Sequence, residues 1–174
     1  MKLIGTNQYG NFQSTSEVDC VLLSTLNLLR RAYSYPDQKA FLAIEKMSRL
    51  WEKDPNADFL HPIRVPLTIE HITDGEFHGR LIVPSAPEIL RKAGINNPER
   101  YGIDSSEINN SHIPFIYVYP NRPNTHAISV VSFDPKKGFE VIDDGFPDIR
   151  QLPNAGLAYK IERYNGKMRS LEYI

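Results

Sequence analysis

Past Ile113 the chain is written in short runs of β-branched and aromatic residues divided by turn signals, and that pattern commits its second half to an antiparallel sheet. The runs are Ile113–Tyr119, His126–Phe133, Phe139–Asp143, Leu157–Tyr164 and Lys167–Ile174, composed of residues that suit a pleated, half-buried backbone. Asn165-Gly166, between the last two, is a two-residue hairpin signal. Asp134-Pro135-Lys136-Lys137-Gly138 reads as a four-residue hairpin loop. Its proline suits a helical turn position, and its glycine can take the left-handed one.

Ahead of this region the period is helical. Val18, Val21, Leu22, Leu26, Leu29 and Tyr33 recur at three- and four-residue spacings, the mark of a helix with one buried face. Tyr35-Pro36-Asp37 is a break, and Asp37 can cap a second helix from Gln38 to about Lys53 with Phe41, Ile44, Met47, Leu50 and Trp51 on its buried side. Asp54-Pro55-Asn56 ends it. From Ala57 to Pro84 the text is broken by prolines, with short extended pieces expected at Ile63–Ile69 and Arg80–Val83. Ser85-Ala86-Pro87-Glu88 is a capping box for a short helix, Ile89–Ala93, stopped by Gly94. Helices first and an antiparallel sheet second make an α+β domain. A chain of 174 residues suits one such domain over 1–174.

Composition closes several functional classes. With 41% hydrophobic and 24% charged residues and a formal net charge of −1, there is no basic excess for nucleic acid or an anionic membrane. No segment approaches the length of a membrane span, and Met1–Gly10 has no apolar run. The expected location is the cytoplasm, or the exterior by a route without a cleavable signal. A single cysteine allows neither an internal disulfide nor a cysteine-rich zinc site. His71, Asp74 and His78 fit neither an i, i+4 helix pair nor a standard zinc spacing. Gly75-Glu76-Phe77-His78-Gly79 lacks the lysine and the strand–helix setting of a phosphate loop. No metal and no cofactor are expected.

The chemistry gathers on the cysteine. Cys20 falls in the first turns of the first helix, behind Ser14, Thr15, Ser16 and Asp19, all able to accept hydrogen bonds from free helix N–H groups. A thiol there meets unpaired donors and the positive end of the helix dipole, and both favour the nucleophilic thiolate. His126 begins a strand, and Asp143 and Asp144 close the strand it should pair with. If Asp134 and Phe139 form the last pair before the turn, Asp143 lies opposite Val130 and on the face of His126. A loop one residue longer would select Asp144 instead. A histidine near the cysteine can take its proton, and an acid near the histidine fixes the tautomer. Gln13, upstream of the nucleophile, can hold an oxyanion together with the backbone N–H of Cys20, with Gln8 or Asn11 as alternatives. Taken singly each residue has an ordinary structural explanation: a small buried cysteine, a packing histidine, an Asp-Asp-Gly turn. Their joint order on the expected elements is what favours catalysis.

That order, a glutamine, a cysteine opening a helix, a distant histidine starting a strand and an acid ending the next strand, resembles the papain-like cysteine peptidase superfamily. Asp19-Cys20 is similar to the helix start of the small bacterial bacteriocin-leader-processing peptidases. His126-Ala127-Ile128 and Asp143-Asp144-Gly145-Phe146 resemble the corresponding strand and loop of secreted effector peptidases. Val21, after the cysteine, departs from the glycine of many members. The resemblance implies a papain-like domain with Cys20 as nucleophile, His126 as base and later acid, Asp143 as orienter with Asp144 in reserve, and Gln13 as oxyanion donor. The implied partner is a protein or peptide substrate, in an effector or toxin setting. The same thioester chemistry serves a deamidase or acyltransferase, and the alternative is a protein-binding module that keeps the fold without turnover. Nothing in the sequence fixes an oligomeric state.

Overall fold

Helix α1, Cys20–Tyr33, runs through the middle of the molecule. The computed structural model describes residues 3–14, 20–56, 64–82, 113–121, 124–152 and 157–164. Every α1 residue from Val21 to Leu29 is buried, more than the one-sided burial that its apolar spacing predicts. Cover comes from the sheet, from helix α2 (Asp37–Lys53) and from a small hairpin of β1 (Leu3–Thr6) and β2 (Phe12–Ser14). The residue that caps α1 lies outside the described residues.

Helix α2 buries Ala40, Ala43, Ile44 and Met47, a stripe at i, i+3, i+4 and i+7 in which the alanines admit close approach. Phe41, expected in the core, is 49% exposed and sits edge-on to Phe12 at 6.5 Å. The capping position belongs to Pro36, without a side-chain cap, while Asp37 lies in the first turn and pairs with Arg30. The extended piece expected at Ile63–Ile69 is replaced by helix α3, Val65–Ile72. Pro66 fits its first turn, where no intrahelical N–H is required, and Val65, Thr68, Ile69 and Ile72 supply its buried face.

The main sheet holds β3 (Phe77–Ile82), β4 (Phe115–Asn121), β5 (Asn124–Asp134), β6 (Gly138–Asp143), β7 (Phe146–Arg150) and β8 (Leu157–Arg163) in the order β3-β8-β4-β5-β6-β7. All neighbouring pairs are antiparallel, so the described chain is an α+β structure. One apolar cluster lies on the helix side, and a second joins Ile82, Phe115, Tyr117, Ile128, Val130, Val141 and Ala158. The sheet is thus buried on both faces. Strands β1, β2 and β7 were not expected, and β3 begins earlier than the Arg80–Val83 piece. Strand β5 starts at Asn124, so His126 is inside it rather than at its start. The Ile89–Ala93 helix, the Asn165-Gly166 hairpin and the Lys167–Ile174 strand lie outside the described residues. No described helix is long and apolar enough to cross a membrane.

The β5–β6 hairpin departs twice from its expected register, and the departures cancel. Its loop is one residue shorter than expected, with Asp134 paired to Gly138. Asp134 Oδ1 accepts from the N–H of Lys136 at 2.7 Å, and Gly138 takes φ 106°. Alone, that register would turn Asp143 to the wrong face. A bulge between Val130 and Ser132 shifts it back, giving Val130↔Val141 and Ser129↔Ile142. Asp143 therefore comes level with Ile128, not Val130, and shares the face of His126.

Candidate active site

Three elements bring Cys20, His126 and Asp143 together. Cys20 is half-buried on α1 and lies close enough to His126 to raise the pKa of its imidazole. His126 Nε2 lies 2.6 Å from Asp143 Oδ1, with the two side chains only 18% and 22% exposed. With Nε2 committed to the carboxylate, Nδ1 is the nitrogen left to the thiol. The Asp143 hydrogen bond foremost, then the nearby Cys20, push His126 from 6.5 up to about 10, against the opposing effect of burial. The same His126 contact holds the Asp143 carboxyl below its usual value, aided by Arg150 and opposed by burial. Of the two candidate acids, Asp143 makes the contact. Asp144 is exposed and turns the chain with φ 48°, a conformation aspartate tolerates better than most residues.

Helix α1 is tied to β5 beside this pair. Ser24, one turn beyond Cys20, donates to the carbonyl of Ala127 at 2.9 Å, and the Ser129 hydroxyl donates to the carbonyl of Ser24 at 2.7 Å. Both bonds are buried, so they fix the helix bearing the thiol against the strand bearing the imidazole.

A second set of bonds holds Gln13 against the loop that follows Asp143. Asn27, buried on α1, accepts from the N–H of Phe12 at 2.6 Å and donates to its carbonyl at 3.1 Å. Asn7 and Asn11 both donate to the carbonyl of Gly145, at 2.7 and 2.9 Å. The β1–β2 hairpin is thereby clamped to the loop that follows Asp143. A Cβ on Gly145 would lie 2.8 Å from the Phe12 oxygen and 3.2 Å from Gln13 Cγ, so Gln13 packs directly on that loop. Asn11, considered as an oxyanion donor, has its amide engaged by Gly145, and Gln8 is exposed at the hairpin turn. Gln13 has no comparable commitment among the described residues. Val21 packs into the core, which directs its branched side chain inward.

Arg150, which had no signal in the sequence, completes the acid's surroundings: its Nη2 donates to Asp143 Oδ2 at 2.7 Å. His126, Asp143 and Asp144 are the one group of His, Cys, Asp and Glu side chains among the described residues with ligand atoms mutually within 4.8 Å. Both Asp143 oxygens are engaged, one by a guanidinium that would repel a cation. The donor set therefore suits proton transfer better than metal binding. Of the other histidine–acid candidates, Asp74 pairs with Lys46, while His78 lies 4.0 Å from Glu70 and 3.5 Å from Glu162. Ser24 and Asn27 did leave a trace in the sequence, as polar residues inside an apolar helical run. Compared with protein-family models, curated proteins and solved structures, the chain gives no significant match in any of the three.

Proposed function

We propose that this chain is a papain-like cysteine hydrolase that cleaves a peptide or related amide bond through an acyl-enzyme on Cys20. The observation that carries the proposal is the series Cys20–His126–Asp143, in which a half-buried thiol lies beside an imidazole whose Nε2 is anchored by a carboxylate. His126 takes the thiol proton and the sulfur attacks the carbonyl carbon. The resulting oxyanion accepts from the Gln13 amide and the Cys20 N–H. His126 then protonates the leaving amine as the C–N bond breaks, which leaves a thioester. Water attacks the thioester, gives its proton to His126 and releases the acid. The proton returns to sulfur, so the enzyme is unchanged. Proton transfer of this kind contributes roughly 10²–10⁴ in rate, and one oxyanion donor roughly 10²–10³. The link to the bacteriocin-leader-processing and effector branches rests on the short matches at Asp19-Cys20, His126-Ala127-Ile128 and Asp143-Asp144-Gly145-Phe146.

The deciding experiment is iodoacetamide alkylation of Cys20 across pH in the parent and in His126→Ala. Alkylation at neutral pH faster than that of a free model thiol, and slowed about ten-fold or more by the substitution, is expected. A slow reaction indifferent to His126→Ala would mark the thiol as structural and favour the binding module.

A further inference from the structure

Asp143 closes β6 and is followed at once by the left-handed Asp144, so the orientation of its carboxylate is set by its side-chain partners. Arg150 grips the oxygen that His126 does not use. Its position on β7 lies opposite Phe139, while Asp143 lies opposite Phe146, so the arginine side chain must reach back along the strand. Asp148, between them on the same face of β7, accepts from Arg150 Nε at 2.8 Å and props the guanidinium from below. The Tyr119 phenol also lies beside Arg150. The Tyr119 ring stands edge-on to His126 at 5.7 Å and 86°. His126, Asp143, Arg150 and Tyr119 thus form a closed ring of contacts from four adjacent structural positions on β4, β5, β6 and β7.

We infer that Arg150 is the positioning residue of this site: its fork, braced by Asp148 and Tyr119, fixes the Asp143 carboxylate so that Oδ1 stays on His126 Nε2. The inference rests on the proposed Cys20–His126 chemistry and deepens it. It has a distinctive sign. The charged groups around His126 are Asp143 and Asp144 from the end of β6, Arg150 and Asp148 from β7, and Cys20 from α1, with the Tyr119 phenol from β4. If Arg150 acted through charge alone, its removal would leave Asp143 a stronger partner and raise the titration of His126. If Arg150 positions Asp143, removal lets the carboxylate swing away and lowers it.

The test follows the His126 imidazole by NMR through pH in the parent, Arg150→Met and Arg150→Lys, alongside iodoacetamide alkylation at neutral pH. A downward shift of the midpoint by about one unit or more in Arg150→Met is expected, with alkylation slowed about ten-fold. Arg150→Lys keeps the charge but not the fork, and should restore little of either. An unchanged or raised midpoint in Arg150→Met, or full rescue by lysine, overturns the inference. Should Arg150→Met fail to fold, Arg150→Lys decides alone: with the positive charge kept, a lowered midpoint supports the inference and a parent-like midpoint overturns it. Failure of the underlying function is separately visible, because the parent would then alkylate slowly and ignore His126→Ala.

Discussion

Its neighbours favour the protonated form of His126, and the sign of the resulting pH dependence follows. Its folded value is raised from 6.5 to about 10. The stability it contributes is therefore fully present below about 6.5, declines as pH rises and is gone above about 10. Asp143 is shifted downward, so its contribution is present above the ordinary carboxylate range and lost on acidification. Thermal melts of the parent and His126→Ala should accordingly differ most in the mildly acidic to neutral range and converge toward pH 10. A gap that persists undiminished at pH 10 would deny the linkage. The two acids should also separate cleanly. Asp143→Ala should slow Cys20 alkylation by about ten-fold or more, whereas Asp144→Asn, which keeps a residue tolerant of φ 48°, should alkylate like the parent. At this scale Cys20, His126 and the Asp143–Asp144 pair were legible because each is an unusual residue at or near an element boundary, although β5 begins two residues before His126. Arg150 was not, because no periodicity links it to a carboxylate that it meets only through the fold of β6 against β7.

The β1–β2 hairpin is the element that places Gln13, and its attachment is concentrated in a few bonds. Asn27→Leu would leave the buried N–H and carbonyl of Phe12 unpaired, which should destabilise the protein by about 3 kcal/mol in urea unfolding. Gly145→Ala forces a side chain at φ 90° and 2.8 Å from the Phe12 oxygen. It should cost about 2 kcal/mol and, on the proposed role of Gln13 as oxyanion donor, slow amide-bond turnover more than thiol alkylation, since Gln13 moves while the Cys20–His126 pair stays. Equal loss of both rates would show that the hairpin positions the whole site rather than Gln13. Elements missed in the sequence share a cause. Strand β7 contains Pro147 and an aspartate, which count against a strand in isolation, yet its place at the sheet edge tolerates both. Helix α3 carries a proline in its first turn and is short enough that extended and helical periods were hard to tell apart.

Across the whole molecule, protection should follow the sheet order. Strands β8, β4 and β5 have a paired neighbour on each side and carry buried residues toward both clusters. Strand β7 pairs on one side, with Phe146 through Ile149 exposed. Native-state hydrogen exchange should therefore be slowest in β4 and β5 and fastest in β7. Equal protection of β7 would mean that its edge is covered. The sequence by itself determined helices α1 and α2, the strand runs of β4, β5, β6 and β8, the antiparallel class of the sheet and the residues able to do thiol chemistry. These are encoded in periods and turns only a few residues long, which local sterics enforce. Only the tertiary structure decided which acid faces His126. The short β5–β6 loop and the bulge near Val131 each shift the register by one, and only their sum sets the face. Tertiary packing also decided the clamp on Gln13 and the grip of Arg150, because both depend on contacts between residues far apart in the chain, and such contacts leave no local pattern.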